Sequence, residues 1–276
     1  MRQASRKAAK IKIGMGGVAG SGKTKSALRL AYGLCGDWKK ICVLDSENDS
    51  SMLYSDLGPF WQIAINDPSP NTYVRALKTC VDEGIEVVVI DSISHEWEYL
   101  LELQTELTER DPKKNSYTAW AKITPMHNAF KKAILEAPLH IITTVRKKQE
   151  HAMVNENGKT SVQKLGLAPI TRDGWEYEVT VNFDIDNSHY ATTSKDRTNL
   201  FIDETPFQIT EATGEMIKKW CDSGEAGDEI LFNNASIEIN NSNSISELMF
   251  VYNKYKELKD NQDFLAILKD KKSSLQ

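Results

Sequence analysis

At 276 residues, 40% of them hydrophobic, the chain is long enough to bury the core of one large domain or of a domain with a small appendage. No run of about 18 apolar residues occurs, which argues against a membrane-spanning helix. The net charge of −5 excludes a uniformly basic nucleic-acid binder, so any polynucleotide contact must come from a local patch.

Met1 to Lys12 holds five basic residues and no acid, but lacks the apolar stretch of a secretory signal, so residues 1–10 read as a solvated basic arm. Ile11 to Met15 is strand-like, and Ala27, Leu28, Leu30, Ala31 and Leu34 then give one apolar helical face. Between them, Gly17-Val18-Ala19-Gly20-Ser21-Gly22-Lys23-Thr24 fills every fixed position of the phosphate-binding pattern G-x-x-x-x-G-K-[ST]. Glycines there let backbone N–H groups turn around a polyphosphate, and the helix points its positive end at the same anion. This stretch, with Lys25, is the expected ATP site: Lys23 reaches the β- and γ-phosphates and Thr24 holds Mg²⁺.

Lys39 to Glu47 is an apolar run entered through lysines, which predicts a buried parallel strand with Asp45 and Glu47 at the carboxyl edge of the sheet. Trp61 to Ile65 gives a strand and Thr72 to Val81 a helix. Glu86 to Asp91 then delivers an aspartate from four consecutive apolar residues, a Walker B pattern that makes Asp91 the second metal-site residue. His95 to Thr108 reads as a helix whose Glu96 and Glu98 are minor candidates for a water-activating base. Glu109 to Ser116 reads as a loop, and Tyr117 to Glu136 as a helix kinked or broken at Pro125. Leu139 to Val145 is another strand.

Arg146 to Asp173 carries six Lys/Arg against three Asp/Glu without periodicity and reads as a long functional loop. Strands follow at Glu176–Asp184 and His189–Ser194, then a Lys195-Asp196-Arg197 triplet and a short helix from Thr213 to Cys221. Residues 222–243 have the Asn, Ser and Gly content of a linker. Ser244 and Glu247 fit a capping box that opens a helical segment over 244–276, either a partner-docking element or a helix packed on its own core. Cys35, Cys42, Cys80 and Cys221 show neither C-x-x-C pairing nor metal spacing, as expected of buried thiols in a reducing cytoplasm.

This order of motifs resembles the RecA-like core ATPases, and within them the short phage-encoded proteins of recombination and single-strand annealing. The resemblance covers 11–221 and implies a P-loop α/β fold, its mostly parallel sheet flanked by helices, with a short C-terminal helical appendage. It implies a catalytic set of Lys23, Glu47, Asp91, Lys195 and Arg197, with Glu47 orienting the attacking water. Ser92 rather than a glutamate follows Asp91, which favours Glu47 as the base. Lys195 and Arg197 match the Lys-x-Arg pair inserted into a neighbouring subunit's site, so a homo-oligomer is expected; a charged hairpin end in solvent is the other reading. Thr144 and Arg146 fall at the sensor strand's end, ahead of a DNA-binding loop in which Lys147, Lys148, Lys159, Lys164 and Arg172 are candidate contacts to single-stranded DNA phosphates. The expected role is recombination or annealing in the cytoplasm of an infected or lysogenic bacterium. The alternatives are a helicase or packaging-type motor, and an ATP-dependent assembly module that recruits a replication or recombination protein.

Overall fold

A computed structural model of the chain describes residues 10–110, 116–156, 159–202, 204–223, 226–259 and 261–275, without the side chains of 150–165, 226–231, 233–234 and 257. The basic arm at 1–9 and the centre of the loop expected at Glu109–Ser116 lie outside the described residues. The chain divides into two units, Lys10–Lys218 and a second that holds Lys219–Gln276.

In the first unit, β1 (Lys12–Gly17), β2 (Ile41–Asp45), β3 (Trp61–Ala64), β4 (Val87–Asp91), β5 (His140–Glu156), β7 (Val181–Ile185) and β8 (Ala191–Asp196) form a sheet in the order β3-β2-β4-β5-β1-β7-β8, while β6 (Lys159–Pro169) pairs with β5 alone. All neighbours are parallel except β8 on β7 and β6 on β5. β1, β2 and β4 are buried along their whole length, as unbroken apolar runs require of strands covered on both faces. The register builds the site: Asp45 stands opposite Asp91, Met15 opposite Thr144 and Gly17 opposite Arg146.

Helix α1 (Lys23–Cys35) buries Ala27, Leu28, Leu30, Ala31 and Leu34, the face its spacing predicts. It meets α6 (Glu211–Asp222) backbone to backbone, because a Cβ at Gly33 would lie 2.0 Å from the Glu211 carbonyl oxygen. On β2, β4 and β5, Tyr73 and Leu77 of α2 (Pro70–Asp82) and Phe130 and Ile134 of α4 (Ser116–Glu136) pack with Leu44, Val88, Ile90 and Ile141. α4 runs continuously through Pro125 rather than breaking there, and packs against α3 (Ser94–Glu109).

Three expectations are corrected. The strand expected from Glu176 begins at Val181, because Trp175–Glu178 forms a short helix, α5, anchored by the Trp175 indole donating to Thr143 Oγ1 at 3.1 Å. Arg146–Asp173 is not an irregular loop: β5 runs on past the sheet and pairs with β6 from Lys147↔Pro169 to Glu156↔Lys159. The linker expected at 222–243 is largely a helix, α7 (Ala226–Asn241).

In the second unit, Ala235 and Ile239 of α7 pack with Leu248 and Val251 of α8 (Ile245–Lys254) and Phe264 of α9 (Gln262–Ser274). The capping signal is realised, with Ser244 Oγ accepting from the Glu247 amide at 3.2 Å and Glu247 Oε2 from the Asn243 amide at 2.8 Å. The fold class is the expected one, a mostly parallel α/β sheet flanked by helices with C-terminal helices. Among the described residues no helix is long and apolar enough to cross a membrane.

Candidate nucleotide site

The turn from β1 to α1 holds Gly20 at φ 80° and Gly22 at φ 87°, left-handed values that glycine adopts without a Cβ penalty. It borders a cavity of about 430 Å³ lined by Gly20, Gly22, Lys23, Thr24, Tyr54 and His189 among others. Lys25 lines it too, whereas Gly17 ends β1 behind the turn. Lys23 Nζ donates to the Val18 carbonyl at 2.9 Å, and burial holds its pKa below the usual lysine range against the pull of Asp91 and Glu47. Ser21 Oγ is buried without a hydrogen-bond partner, and no acidic residue sits in the first turn of α1. A half-buried ammonium and the positive end of a helix converge on the cavity, which suits a polyphosphate, while Ser21 Oγ turns inward toward Gly17.

Behind Thr24, Asp91 ends β4 and is 1% exposed; it does not line the cavity itself. Burial pushes its pKa up; hydrogen bonds from Thr144 and Thr24 oppose that shift, and Glu47 and Asp45 add to it. Thr24 Oγ1 donates to Asp91 Oδ2 at 2.5 Å, and Thr144 Oγ1 donates to Oδ1. A buried carboxylate held among the described residues by hydroxyls fits a divalent cation, and Thr24 and Asp91 are the residues that would hold Mg²⁺. Asp45 does different work: Oδ1 accepts from the Glu47 amide at 2.7 Å and Oδ2 from the Ser51 amide at 2.8 Å, which shapes the turn that presents Glu47.

Glu47 Oε1 accepts from Ser92 Oγ at 3.1 Å and lies 3.7 Å from Arg146 Nε. Arg146 also donates from Nη1 to His95 Nε2 at 3.0 Å. Arginine can only donate, so His95 carries its proton on Nδ1 and donates to Ser46 Oγ at 2.7 Å. Glu98 lies 3.9 Å from the same guanidinium. Glu96, a candidate base by sequence, is instead fully buried with both carboxylate oxygens 3.2 Å from His127 Nδ1. It holds α3 to α4 and takes no part in the cavity.

The other predicted residues divide. Lys195 and Arg197 do not line the cavity; Lys195 Nζ donates to the Glu176 and Tyr177 carbonyls at 2.8 and 2.5 Å, and Arg197 Nη2 to Tyr177 at 3.1 Å. Burial, then Arg197, lowers the Lys195 pKa. Lys147 is not a free cation for DNA: it pairs with Asp184 at 2.8 Å, its side chain 16% exposed. Arg172 is half-buried and lines a cavity with His127 and Lys131; burial pushes the Glu96 pKa up, and His127 and then Arg172 oppose that shift. Lys148 is exposed at the base of the hairpin, and Lys159 and Lys164 fall on β6 where side chains are not described.

Sequence reasoning missed His189. It sits in the β7–β8 turn at φ 67°, and its Nδ1–H donates to the Ser21 carbonyl at 3.0 Å. The ring fits so closely that a Cβ on Gly22 would lie 3.1 Å from Nδ1. The Asp186-Asn187-Ser188 sequence signals a turn, but nothing in it signals the loop it braces. Replacing His189 by alanine is expected to weaken ATP affinity about 3- to 10-fold, the worth of one lost hydrogen bond, with kcat little changed. Calorimetric titration checks this, and unchanged affinity would remove His189 from the site.

The AAA domain family matches residues 9–205. Among solved structures, the KaiC-like protein PH0186 from the hyperthermophilic archaeon Pyrococcus horikoshii OT3 is similar over 73% of this chain and 87% of its own, at 18% identity and a TM-score of 0.43. No curated protein matches the chain.

Proposed function

Because the chain belongs to the AAA domain family, we propose that it is a RecA-like ATPase that uses ATP and Mg²⁺, assembles with copies of itself, and couples nucleotide state to single-stranded DNA during phage recombination or annealing. The observation that carries the coupling is the path of β5. Its Thr144 touches Asp91 and its Arg146 touches Glu47, and the same strand then leaves the sheet as one arm of the β5–β6 hairpin.

Catalysis in this reading is positioning and electrostatics. Lys23 and the start of α1 offset the charge of the β- and γ-phosphates. Thr24 and Asp91 would hold Mg²⁺, which would supply charge neutralisation at the phosphoryl oxygens. Glu47, steadied by Ser92 and Arg146, accepts a proton from the attacking water and orients it. Lys195 and Arg197 complete the charge balance from a neighbouring protomer, a role for which they exchange the Glu176 and Tyr177 carbonyls for phosphate. Fingers supplied in trans raise turnover by about 10³–10⁵.

The reading is tested by steady-state ATP hydrolysis of the full chain with and without single-stranded DNA at rising salt. Stimulation that fades with salt is expected, since phosphate contacts release counterions. Turnover indifferent to DNA would overturn the coupling and favour an assembly module; directional unwinding of a duplex would favour a motor.

A further inference from the structure

The unit Lys219–Gln276 carries a surface that nucleotide chemistry does not use. Ile245, Leu248, Met249 and Tyr252 of α8 follow the spacing i, i+3, i+4, i+7, and so do Leu265, Leu268, Lys269 and Lys272 of α9. Together these two stripes line a groove of about 400 Å³. Its floor belongs to the helical core: Leu248 is 4% exposed, and Tyr252 and Leu268 pack on the cluster around Phe264. Its wall stands open, with Ile245 41% and Met249 58% exposed. Each stripe rises about 10 Å, two turns of a helix, so the groove presents apolar side chains over the length that a short third helix offers.

The charge of the groove selects the occupant. Lys269 and Lys272 line it, no carboxylate among the described residues does, and Lys259 adds a third ammonium 4.9 Å from the centre of the Tyr252 ring. Neighbouring lysines are engaged elsewhere, Lys254 with Glu238 at 2.6 Å and Lys271 with the Asn240 carbonyl at 2.8 Å. Lys269 and Lys272 make no ion pair among the described residues. A second copy docked isologously would bring the same lysines face to face, which is repulsive. We propose that this groove docks an amphipathic helix of a partner protein, its apolar stripe seated on Met249, Leu248 and Leu268 and its flanking aspartates or glutamates on Lys269 and Lys272.

The test uses the full chain and a fluorescein-labelled synthetic helix of about four turns, with leucines at i, i+3, i+4 and i+7 and glutamates flanking them. Saturable binding by anisotropy is expected, weakened at least about tenfold by Met249→Glu and by the Lys269→Glu, Lys272→Glu pair. The charge-reversed pair is expected to bind instead a peptide with lysines in place of the glutamates. All three side chains are exposed and lie outside the nucleotide site, so an unchanged helical circular-dichroism signal and denaturation midpoint certify each variant as folded. A scrambled peptide binding equally well, wild-type binding by Met249→Glu, or no saturation would overturn the proposal. Self-association lost in Met249→Glu without peptide binding would assign the groove to a second copy and overturn it equally.

Discussion

Lys23→Ala is expected to lower ATP turnover by about 10²–10³-fold or more and to weaken ATP binding by at least about tenfold. The size follows from what Lys23 leaves behind. Asp91 and Glu47 both act electrostatically on its ammonium, so its removal leaves two carboxylates facing a polyphosphate with that cation gone. The only hydrogen bond it makes in the described structure is to the Val18 carbonyl at 2.9 Å, so the fold does not depend on it. An unchanged denaturation midpoint beside lost turnover is the expected pairing. A Lys23→Ala chain that still hydrolyses ATP at the wild-type rate would contradict the site.

Glu47→Gln is expected to separate binding from chemistry. Glutamine keeps an oxygen that accepts the Ser92 hydroxyl hydrogen bond of 3.1 Å, but it cannot take a proton and it loses the charge that faces Arg146. Turnover is expected to fall about 10²–10⁴-fold while ATP affinity stays within about twofold, because a general base acts in the transition state alone. Single-turnover hydrolysis beside equilibrium binding checks both halves. Equal losses in the two would show that Glu47 shapes the site rather than activating water. The same variant on Glu98, 3.9 Å from Arg146, is expected to cost far less.

Much of the site was legible in the sequence because its parts are local. The phosphate loop is a fixed spacing, and β2 and β4 are apolar runs that end in acids, so Lys23, Thr24, Glu47 and Asp91 could be placed without a fold. The residues that hold them could not. Arg146 reaches Glu47, His95 and Glu98 only because β5 lies between β1 and β4, and sheet order is a long-range property. Lys147 looked like a DNA contact until the sheet set Asp184 beside it.

Segments whose composition misled tell the same story. Asn, Ser and Gly gave 222–243 the look of a linker, yet Ala235 and Ile239 fall four apart and bury against α8 and α9, and that packing outweighs weak propensity. The β5–β6 hairpin was missed because its strands lack clean alternation; the Asn157-Gly158 dipeptide, a hairpin signal in sequence, was available but lies outside the described residues.

The most direct measurement of the coupling claim is the affinity of the full chain for a labelled oligothymidylate in a non-hydrolysable ATP analogue and in ADP, at one salt concentration. Binding at least about tenfold tighter in the ATP state is expected, a coupling of about 1.4 kcal/mol carried along β5. Arg146→Ala is expected to bring the two affinities together. Equal affinities in the wild-type protein would rule out the coupling, because a strand that touches Asp91 and Glu47 would then carry nothing to the hairpin.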